Sequence, residues 1–251
     1  MKKFLGIILA ALLLFGLLPV TALADPSPTA ISVGDASQLT AAIADIADGG
    51  TITLDDSFSS DDTNFVIPAD KSIILNLNGE TITTTADPFL QISAGANLTI
   101  NDTEGGGGLH ETRDYSYLIL NRGTLVINGG TFTSESDEYY FGCNEYYGGE
   151  YAVAMSANSS TTINGGTFNG TFYTNGTKSG QSLTINGGTF HNMFYLASAY
   201  ETITINDGRF DMNDVDTLEP LDCVIEIDAG TLNINGGTFK LDIDTTGNNI
   251  A

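Results

Sequence analysis

The sequence "INGGTF" at residues 127–132 recurs at residues 163–168, 185–190 and 234–239, and a variant, "INDGRF", stands at residues 205–210. The aliphatic residue that opens this phrase has weaker counterparts at Leu54, Leu77 and Ile100. Successive copies are 20 to 36 residues apart. A repeat of this length is typical of a solenoid, in which each unit buries its apolar face against the next unit.

The residues before the phrase alternate between apolar and polar. Of the eight positions two residues before the opening aliphatic residue, seven are aliphatic: Ile52, Leu75, Leu98, Leu125, Leu183, Ile203 and Leu232. This alternation predicts a strand with one buried face. The eighth position holds Thr161. We expect its hydroxyl to bond a neighbour, or the coil to slip there.

The end of the phrase predicts a corner followed by an inward aromatic residue. Asn-Gly and Gly-Gly favour positive φ, and the Phe that follows has a counterpart in Ile82. β-rich runs between the phrases predict a second strand in each coil. The sequence therefore predicts an all-β, single-stranded parallel β-helix of about eight coils over residues 51–251. The consensus of the leucine-rich repeat is not found in this sequence. A β-sandwich would not explain why residues of the same type recur at equivalent positions of every repeat.

Residues 25–50 contain a predicted linker and an amphipathic capping helix. Leu39, Ile43 and Ile46 lie on one stripe, Asp35 or Ser37 can cap the helix, and Gly49-Gly50 ends it. We expect this helix to lie across the first coil.

Residues 1–24 carry two lysines, an apolar run and an Ala-x-Ala site before Asp25. This pattern predicts a bacterial secretory signal peptide that is cleaved after Ala24, with a transmembrane anchor as the alternative. After cleavage no stable membrane span would remain. The predicted location is secreted, extracellular or on the cell surface.

The chain is strongly acidic, with a formal net charge of −23. Nucleic acid is excluded as a partner, because phosphates could not be neutralised. Polyanionic glycans would also be repelled. The two cysteines, Cys143 and Cys223, fall in different predicted coils, too far apart for a disulfide, and Cys223 alternates with isoleucines as a buried thiol would.

The repeats and the helix that leads into "GGTITL" at residues 49–54 resemble the pectin lyase-like superfamily of right-handed parallel β-helices. The phrase L-x-I-N-G-G-T-F is similar to repeats of secreted Gram-positive surface proteins. The resemblance implies a right-handed winding. It does not fix an activity, because the superfamily includes lyases, hydrolases, adhesins and stalks.

The catalytic patterns of that superfamily are not found here, so catalysis is uncertain and the chain is predicted to lack it. Weak candidates for proton abstraction occur in the segment after the glycine run at residues 105–108: His110, Glu111, Arg113 and Asp114.

The longest interval between phrases is rich in tyrosine and acidic residues. Tyrosine suits stacking on sugar rings or anchoring a protein contact. We therefore predict a ligand-binding insert formed by Tyr139, Tyr140, Glu145, Tyr146, Tyr147 and Tyr151.

Ca²⁺ is the one cofactor that the sequence suggests. The weak candidate ligands for it are Asp211, Asp214 and Asp216. The spacing is not that of an EF-hand.

Two main functions follow from these features. The first is a non-catalytic, adhesin-like scaffold that binds a glycan or a host or cell-surface protein. The second is a polysaccharide lyase or glycoside hydrolase. A minor alternative is an ice-binding solenoid, because the outward strand positions carry an interrupted threonine array.

Overall fold

The described part of the chain forms three parallel β-sheets and one helix. The computed structural model describes residues 27–113, 116–134, 151–174, 180–191, 194–196, 201–211, 225–227 and 230–240. Within these ranges the chain has one α-helix, α1 (Ala36–Asp45), and 24 strands. Each strand pairs in parallel with the equivalent strand of the neighbouring coil, so the fold is a parallel β-solenoid.

Sheet A contains nine strands, which run in the order β1 (Ala30–Val33), β2 (Gly50–Leu54), β5 (Ser72–Asn76), β8 (Asn97–Asn101), β11 (Thr124–Ile127), β14 (Ser160–Ile163), β17 (Ser182–Ile185), β20 (Thr202–Ile205) and β23 (Thr231–Ile234). Sheet B contains eight strands, namely β3 (Phe58–Asp61), β6 (Thr81–Thr84), β9 (Gly108–Glu111), β12 (Thr131–Ser134), β15 (Thr167–Asn169), β18 (Thr189–Phe190), β21 (Arg209–Asp211) and β24 (Thr238–Lys240). Sheet C contains seven strands, namely β4 (Phe65–Ile67), β7 (Leu90–Ile92), β10 (Tyr117–Asn121), β13 (Tyr151–Met155), β16 (Thr171–Thr174), β19 (Phe194–Leu196) and β22 (Ile225–Ile227).

Each repeat therefore supplies three strands, one more than the sequence predicted. The additional strand is the one that carries the Phe of the phrase, such as β12 or β15. These strands are two to four residues long. So short a stretch shows too little alternation to be recognised as a strand.

The structure corrects the predicted register of the first two coils. Ile52 pairs with Leu75, and Leu75 pairs with Ile100. Leu54 and Leu77, the predicted counterparts of Ile100, lie two residues further along the chain and are also fully buried. A shift of two residues keeps every side chain on the same face of the strand. Hydrophobic alternation therefore cannot distinguish the two registers.

The core is a set of columns in which equivalent side chains lie over one another. Leu125, Leu183 and Ile203 are at most 1% exposed, which confirms the predicted inward column of sheet A at these positions, whereas Leu232 of β23 is only partly buried. The aromatic column of sheet B is a stack of rings whose centroids lie 5.0, 4.9, 4.8 and 4.6 Å apart, formed by Phe132, Phe168, Phe190, Phe210 and Phe239. These separations match the spacing of hydrogen-bonded strands, so the stack follows directly from the register.

Thr161 keeps its place in the inward column. Its Oγ1 accepts a hydrogen bond of 2.9 Å from Nδ2 of Asn121, which is also fully buried. The register through β14 is unbroken on both sides. The first of the two predicted outcomes is confirmed: the hydroxyl bonds a neighbour, and the coil does not slip.

Helix α1 follows β1, a strand that the sequence did not predict. Asp35 caps the helix, since its Oδ1 accepts a hydrogen bond of 2.8 Å from the backbone N–H of Gln38. Leu39, Ala42 and Ile43 are buried beside residues of the first coils. The helix ends at Asp45, before the predicted glycine pair, because the backbone of Ile46 leaves the helical conformation with ψ at 140°. Gly50 belongs to β2.

Candidate functional site

The asparagine of the repeated phrase forms a hydrogen-bonded ladder along the outside of the solenoid. In every step the Nδ2 of one asparagine donates to the Oδ1 of the asparagine in the preceding coil, at 2.7 or 2.8 Å. The asparagine ladder consists of Asn101, Asn128, Asn164, Asn186, Asn206 and Asn235. Each step uses one amide hydrogen of the donor and one carbonyl lone pair of the acceptor. An asparagine with ladder neighbours on both sides therefore keeps a second amide hydrogen and a second lone pair.

Four of the six ladder asparagines are followed by two glycines, and each of the two glycine positions has its own structural cause. At Gly165 a Cβ would lie 2.9 Å from the carbonyl oxygen of Asn128, so the first glycine is required by close approach of the preceding coil. At Gly166 φ is +107°, a conformation that residues with a Cβ rarely adopt. The phrase thus builds a tight corner between sheets A and B.

A shallow open groove runs along this corner, with a volume of about 510 Å³. Its lining includes Gly129, Gly166 and Gly188. It also includes the outward hydroxyl residues of sheet B, Thr131, Thr167 and Thr189. Since these threonines pair directly with one another, the same arrangement recurs in three successive coils. We call this feature the corner groove.

Asp102 lines the corner groove near the glycine run. Its Oδ1 accepts a hydrogen bond of 2.8 Å from the backbone N–H of Gly79, and its Oδ2 accepts one of 2.9 Å from Gly107. Both carboxylate oxygens are therefore engaged by backbone donors. The carboxylate ties the glycine-rich segment to the preceding coil.

The outer face of sheet A carries hydroxyl residues in two further columns. Thr162, Thr184 and Thr204 pair in successive coils of one column. Ile74 and Val126 interrupt the same column nearer the N-terminus. The predicted threonine array thus exists, with its interruptions, in the corrected register.

The four weak catalytic candidates do not share one face. In β9 His110 faces outward and is half-buried, whereas Glu111 faces inward and is fully buried. Arg113 is exposed, and Asp114 lies outside the described residues. Their assignment as catalytic residues stays a prediction.

Glu111 is a fully buried acid whose pKa is perturbed. Burial raises its pKa to about 7, and the nearby Asp87 adds to the increase. Hydrogen bonds from the Arg113 backbone and from Ser134, together with the Arg113 charge, act in the opposite direction. A buried carboxyl with this pKa is mostly protonated below neutrality.

Most of the predicted ligand-binding residues, namely Tyr139, Tyr140, Glu145, Tyr146 and Tyr147, lie outside the described residues. Tyr151 is described and is only 5% exposed. Its ring lies 5.0 Å from that of Tyr117 and 4.9 Å from that of Tyr173, measured between centroids. Tyr151 therefore belongs to a packed column of tyrosines.

Of the candidate calcium ligands, only Asp211 is described. It forms an ion pair with Arg209, which already supplies a positive charge. Asp214 and Asp216 lie outside the described residues, as do Cys143 and Cys223. Among the residues that are described, no group of three or more potential metal ligands occurs.

No protein-family model matches this chain, and no match was found among the curated proteins or the solved structures. In the described part of the chain, no helix has the length and apolar character needed to cross a membrane.

The asparagine ladder and the corner groove are the features that sequence reasoning missed. Their signal was present, because Asn follows the opening Ile in every copy of the phrase. Taken alone, each Asn-Gly pair indicates only a turn. Stacked amides in parallel strands hydrogen-bond to each other along the stack, which the identical column of asparagines could have indicated.

Proposed function

We propose that this chain is a non-catalytic, adhesin-like scaffold, secreted or on the cell surface, that binds a glycan along its corner groove. The observation that supports this proposal is the asparagine ladder beside a groove that is lined by glycines. Amide and hydroxyl groups recur there once per coil, which suits a linear ligand that itself repeats. The carbohydrate hydroxyls would both donate and accept hydrogen bonds.

The charge of the protein favours an uncharged glycan. With a formal net charge of −23, the chain would repel a polyanionic polymer, whereas a neutral one meets no such barrier. The groove is lined by threonine hydroxyls and glycine backbone, and the carboxylate of Asp102 is already engaged. The neutral amides of Asn128 and Asn164 directly precede lining glycines in the chain. A host or cell-surface protein is the other class of partner predicted from the sequence.

The absence of catalysis is part of the proposal. His110 and Glu111 project to opposite faces of one strand, so a single substrate could not contact both side chains. Glu111 also has no exposed surface through which to reach a substrate. A general acid or base must lie within hydrogen-bond reach of the proton that it transfers.

The finer features of the fold belong to the same proposal. The resemblance to pectin lyase-like proteins favours a right-handed winding. The burial of Leu39, Ala42 and Ile43 beside the first coil favours a capping role for α1. Secretion with cleavage after Ala24 would be tested by N-terminal sequencing of protein from the culture medium, which should begin at Asp25.

A glycan array tests the binding site with a matched pair of variants. Thr167→Tyr places a bulky ring in the corner groove, and we expect it to abolish binding of a neutral glycan. Thr162→Tyr changes the same residue type in the same coil, on the outer face of sheet A, and should leave binding intact. The core is untouched in both variants, because both threonines face outward.

Three results, from this array and from two further experiments, would contradict parts of the proposal. If Thr167→Tyr binds like the parent, the groove is not the site. If binding is instead lost when Tyr139, Tyr140, Tyr146 and Tyr147 are replaced by alanine, the tyrosine insert is the site. Release of new reducing ends or unsaturated sugars that is abolished by His110→Ala would show that the protein is an enzyme.

A further inference from the structure

Glu111, the last residue of β9, lies in a small buried polar cluster. In the strand register it stands between Thr84 of β6 and Ser134 of β12. Glu111 and Ser116 have no exposed surface, and Ser134 is 4% exposed. The cluster is located where the chain leaves β9 and continues towards β10 in sheet C.

Three donors point at the Glu111 carboxyl. The backbone N–H of Arg113 lies 2.5 Å from Oε1, the Ser134 hydroxyl lies 3.1 Å from Oε2, and the Ser116 hydroxyl also contacts Oε2. The same Ser116 oxygen lies 2.9 Å from the backbone carbonyl oxygen of Arg113. Ser116 thus has two possible acceptors within hydrogen-bond distance.

A serine hydroxyl has one hydrogen, so it can donate to only one of these acceptors at a time. When Glu111 is ionised, its carboxylate can only accept, and the Ser116 hydrogen is directed to it. When Glu111 is protonated, its own hydroxyl can donate to the Ser116 oxygen, and the Ser116 hydrogen is then directed to the Arg113 carbonyl. The two states of the cluster differ by one proton, which the Glu111 carboxyl exchanges with solvent.

We propose that Glu111, Ser116 and the Arg113 carbonyl form a proton-dependent hydrogen-bond switch at the connection between sheets B and C. Protonation of Glu111 adds a hydrogen bond to the Arg113 carbonyl, and ionisation removes it. The switch is independent of any ligand in the corner groove.

The charged and titratable neighbours place the change near neutral pH. Burial has the largest effect on the Glu111 carboxyl and raises its pKa to about 7. Asp87, which follows β6, raises that pKa further, whereas the Arg113 guanidinium lowers it. Tyr117, next to Ser116, has its own pKa raised by burial and by Asp87, so it stays neutral through this range. Strand β12 contributes no titratable group, and His110 faces the other side of β9.

Carbon-13 NMR on the full chain tests the switch directly. The Glu111 carboxyl carbon and the Arg113 carbonyl carbon would be followed between pH 5 and pH 9. We expect both signals to titrate with one shared midpoint near pH 7. An Arg113 carbonyl that does not move while Glu111 titrates would overturn the proposal, as would a Glu111 midpoint near the ordinary value of a glutamic acid.

Two serine variants separate the switch from general effects of pH. In Ser116→Ala, Glu111 should still titrate but the Arg113 carbonyl should no longer follow it. Ser134→Ala removes the other hydroxyl donor, which does not contact the Arg113 carbonyl, and there the two signals should remain coupled. Loss of coupling in Ser134→Ala, or its persistence in Ser116→Ala, would contradict the switch. If Ser116→Ala does not fold, the parent and Ser134→Ala titrations still decide the question.

Discussion

Asn164 illustrates how a single side chain stabilises the stack. Its Nδ2 donates to Asn128 and its Oδ1 accepts from Asn186, so one residue connects three coils. These bonds lie on an exposed edge, where water competes for the same groups. Each ladder bond is therefore expected to contribute about 0.5–1.5 kcal/mol to the free energy of unfolding.

Asn164→Ala should destabilise the protein by about twice as much as Asn235→Ala. The first substitution removes two ladder bonds, whereas the second removes the single bond that Asn235 donates to Asn206. We expect a loss of roughly 1–3 kcal/mol for Asn164→Ala, measured by urea unfolding. Equal losses in the two variants would show that the ladder bonds do not contribute individually. Ser182→Ala, at an exposed position of β17 on the outer face of sheet A, is the control.

The stability of the protein should depend on the protonation of Glu111. The pKa of this carboxyl is raised from 4.5 in the unfolded chain to about 7 in the folded one. The folded state therefore binds the proton more tightly, and this contribution is fully present below about pH 4.5. It is lost as the pH rises towards 7, and the change is on the order of 2–3 kcal/mol.

A comparison with Glu111→Gln isolates this effect, because glutamine keeps the shape of the side chain and does not titrate. The free energy of unfolding of the parent, relative to that of the variant, should fall between pH 4.5 and 7.5 and then level off. Glu104→Gln is the control, since Glu104 is exposed. A parent that gains stability relative to Glu111→Gln over this range would show that the sign is wrong.

At the scale of elements, α1 depends on its buried stripe and on one lysine. The Nζ of Lys71 donates hydrogen bonds of 2.8 Å to the carbonyl oxygens of Ile43 and Ala44. A cation at a helix C-terminus also interacts favourably with the helix dipole. Lys71 thus links the end of the helix to the coil beneath it.

Ile43→Asp should detach α1 from the first coil. The side chain is 7% exposed, and burying an unpaired carboxylate there costs several kcal/mol. We expect increased amide hydrogen exchange over residues 36–54, with little change in the coils near Phe190. Thr40→Asp, at an exposed position of the same helix, is the matched control. If Ile43→Asp increased amide hydrogen exchange equally along the whole chain, the helix and the first coil would not unfold separately from the other coils.

The elements also show what the sequence could and could not predict. The inward columns and the corner were predicted, because alternation and positive-φ residues are local signals. The register at Leu75 was missed, because a two-residue shift preserves alternation. The strand that carries Phe132 was missed, because it is too short to show a period. The asparagine ladder depends on contacts between coils, which no single stretch of sequence displays. The Glu111 cluster combines local contacts within residues 111–116 with the Ser134 contact from the next coil, and its burial is not visible in the sequence.

At the scale of the whole molecule, acidic charge opposes the stacking of coils. The formal net charge is −23, and added salt screens the repulsion between exposed carboxylates. At low salt, the free energy gained by packing the phenylalanine and aliphatic columns must exceed the free energy of this repulsion. Ionic strength is therefore expected to affect stability globally.

The melting temperature should rise between 10 mM and 300 mM NaCl, as followed by circular dichroism. CaCl₂ at equal ionic strength should give a similar rise, since Asp211 is already paired with Arg209. A larger rise with calcium that is lost in Asp214→Asn/Asp216→Asn would instead support the predicted calcium site. MgCl₂ serves as the control for divalent charge.

The hydrogen bonds of the asparagine ladder all point the same way. Every Nδ2 donates towards the N-terminal end of the solenoid, from Asn235 back to Asn101. Amide dipoles aligned in this manner give the edge of the rod a direction. A polymer with chemically different ends, such as a chain of sugars with one reducing terminus, would encounter non-equivalent surfaces in its two orientations. Under the proposed function, such a chain would bind in one preferred orientation.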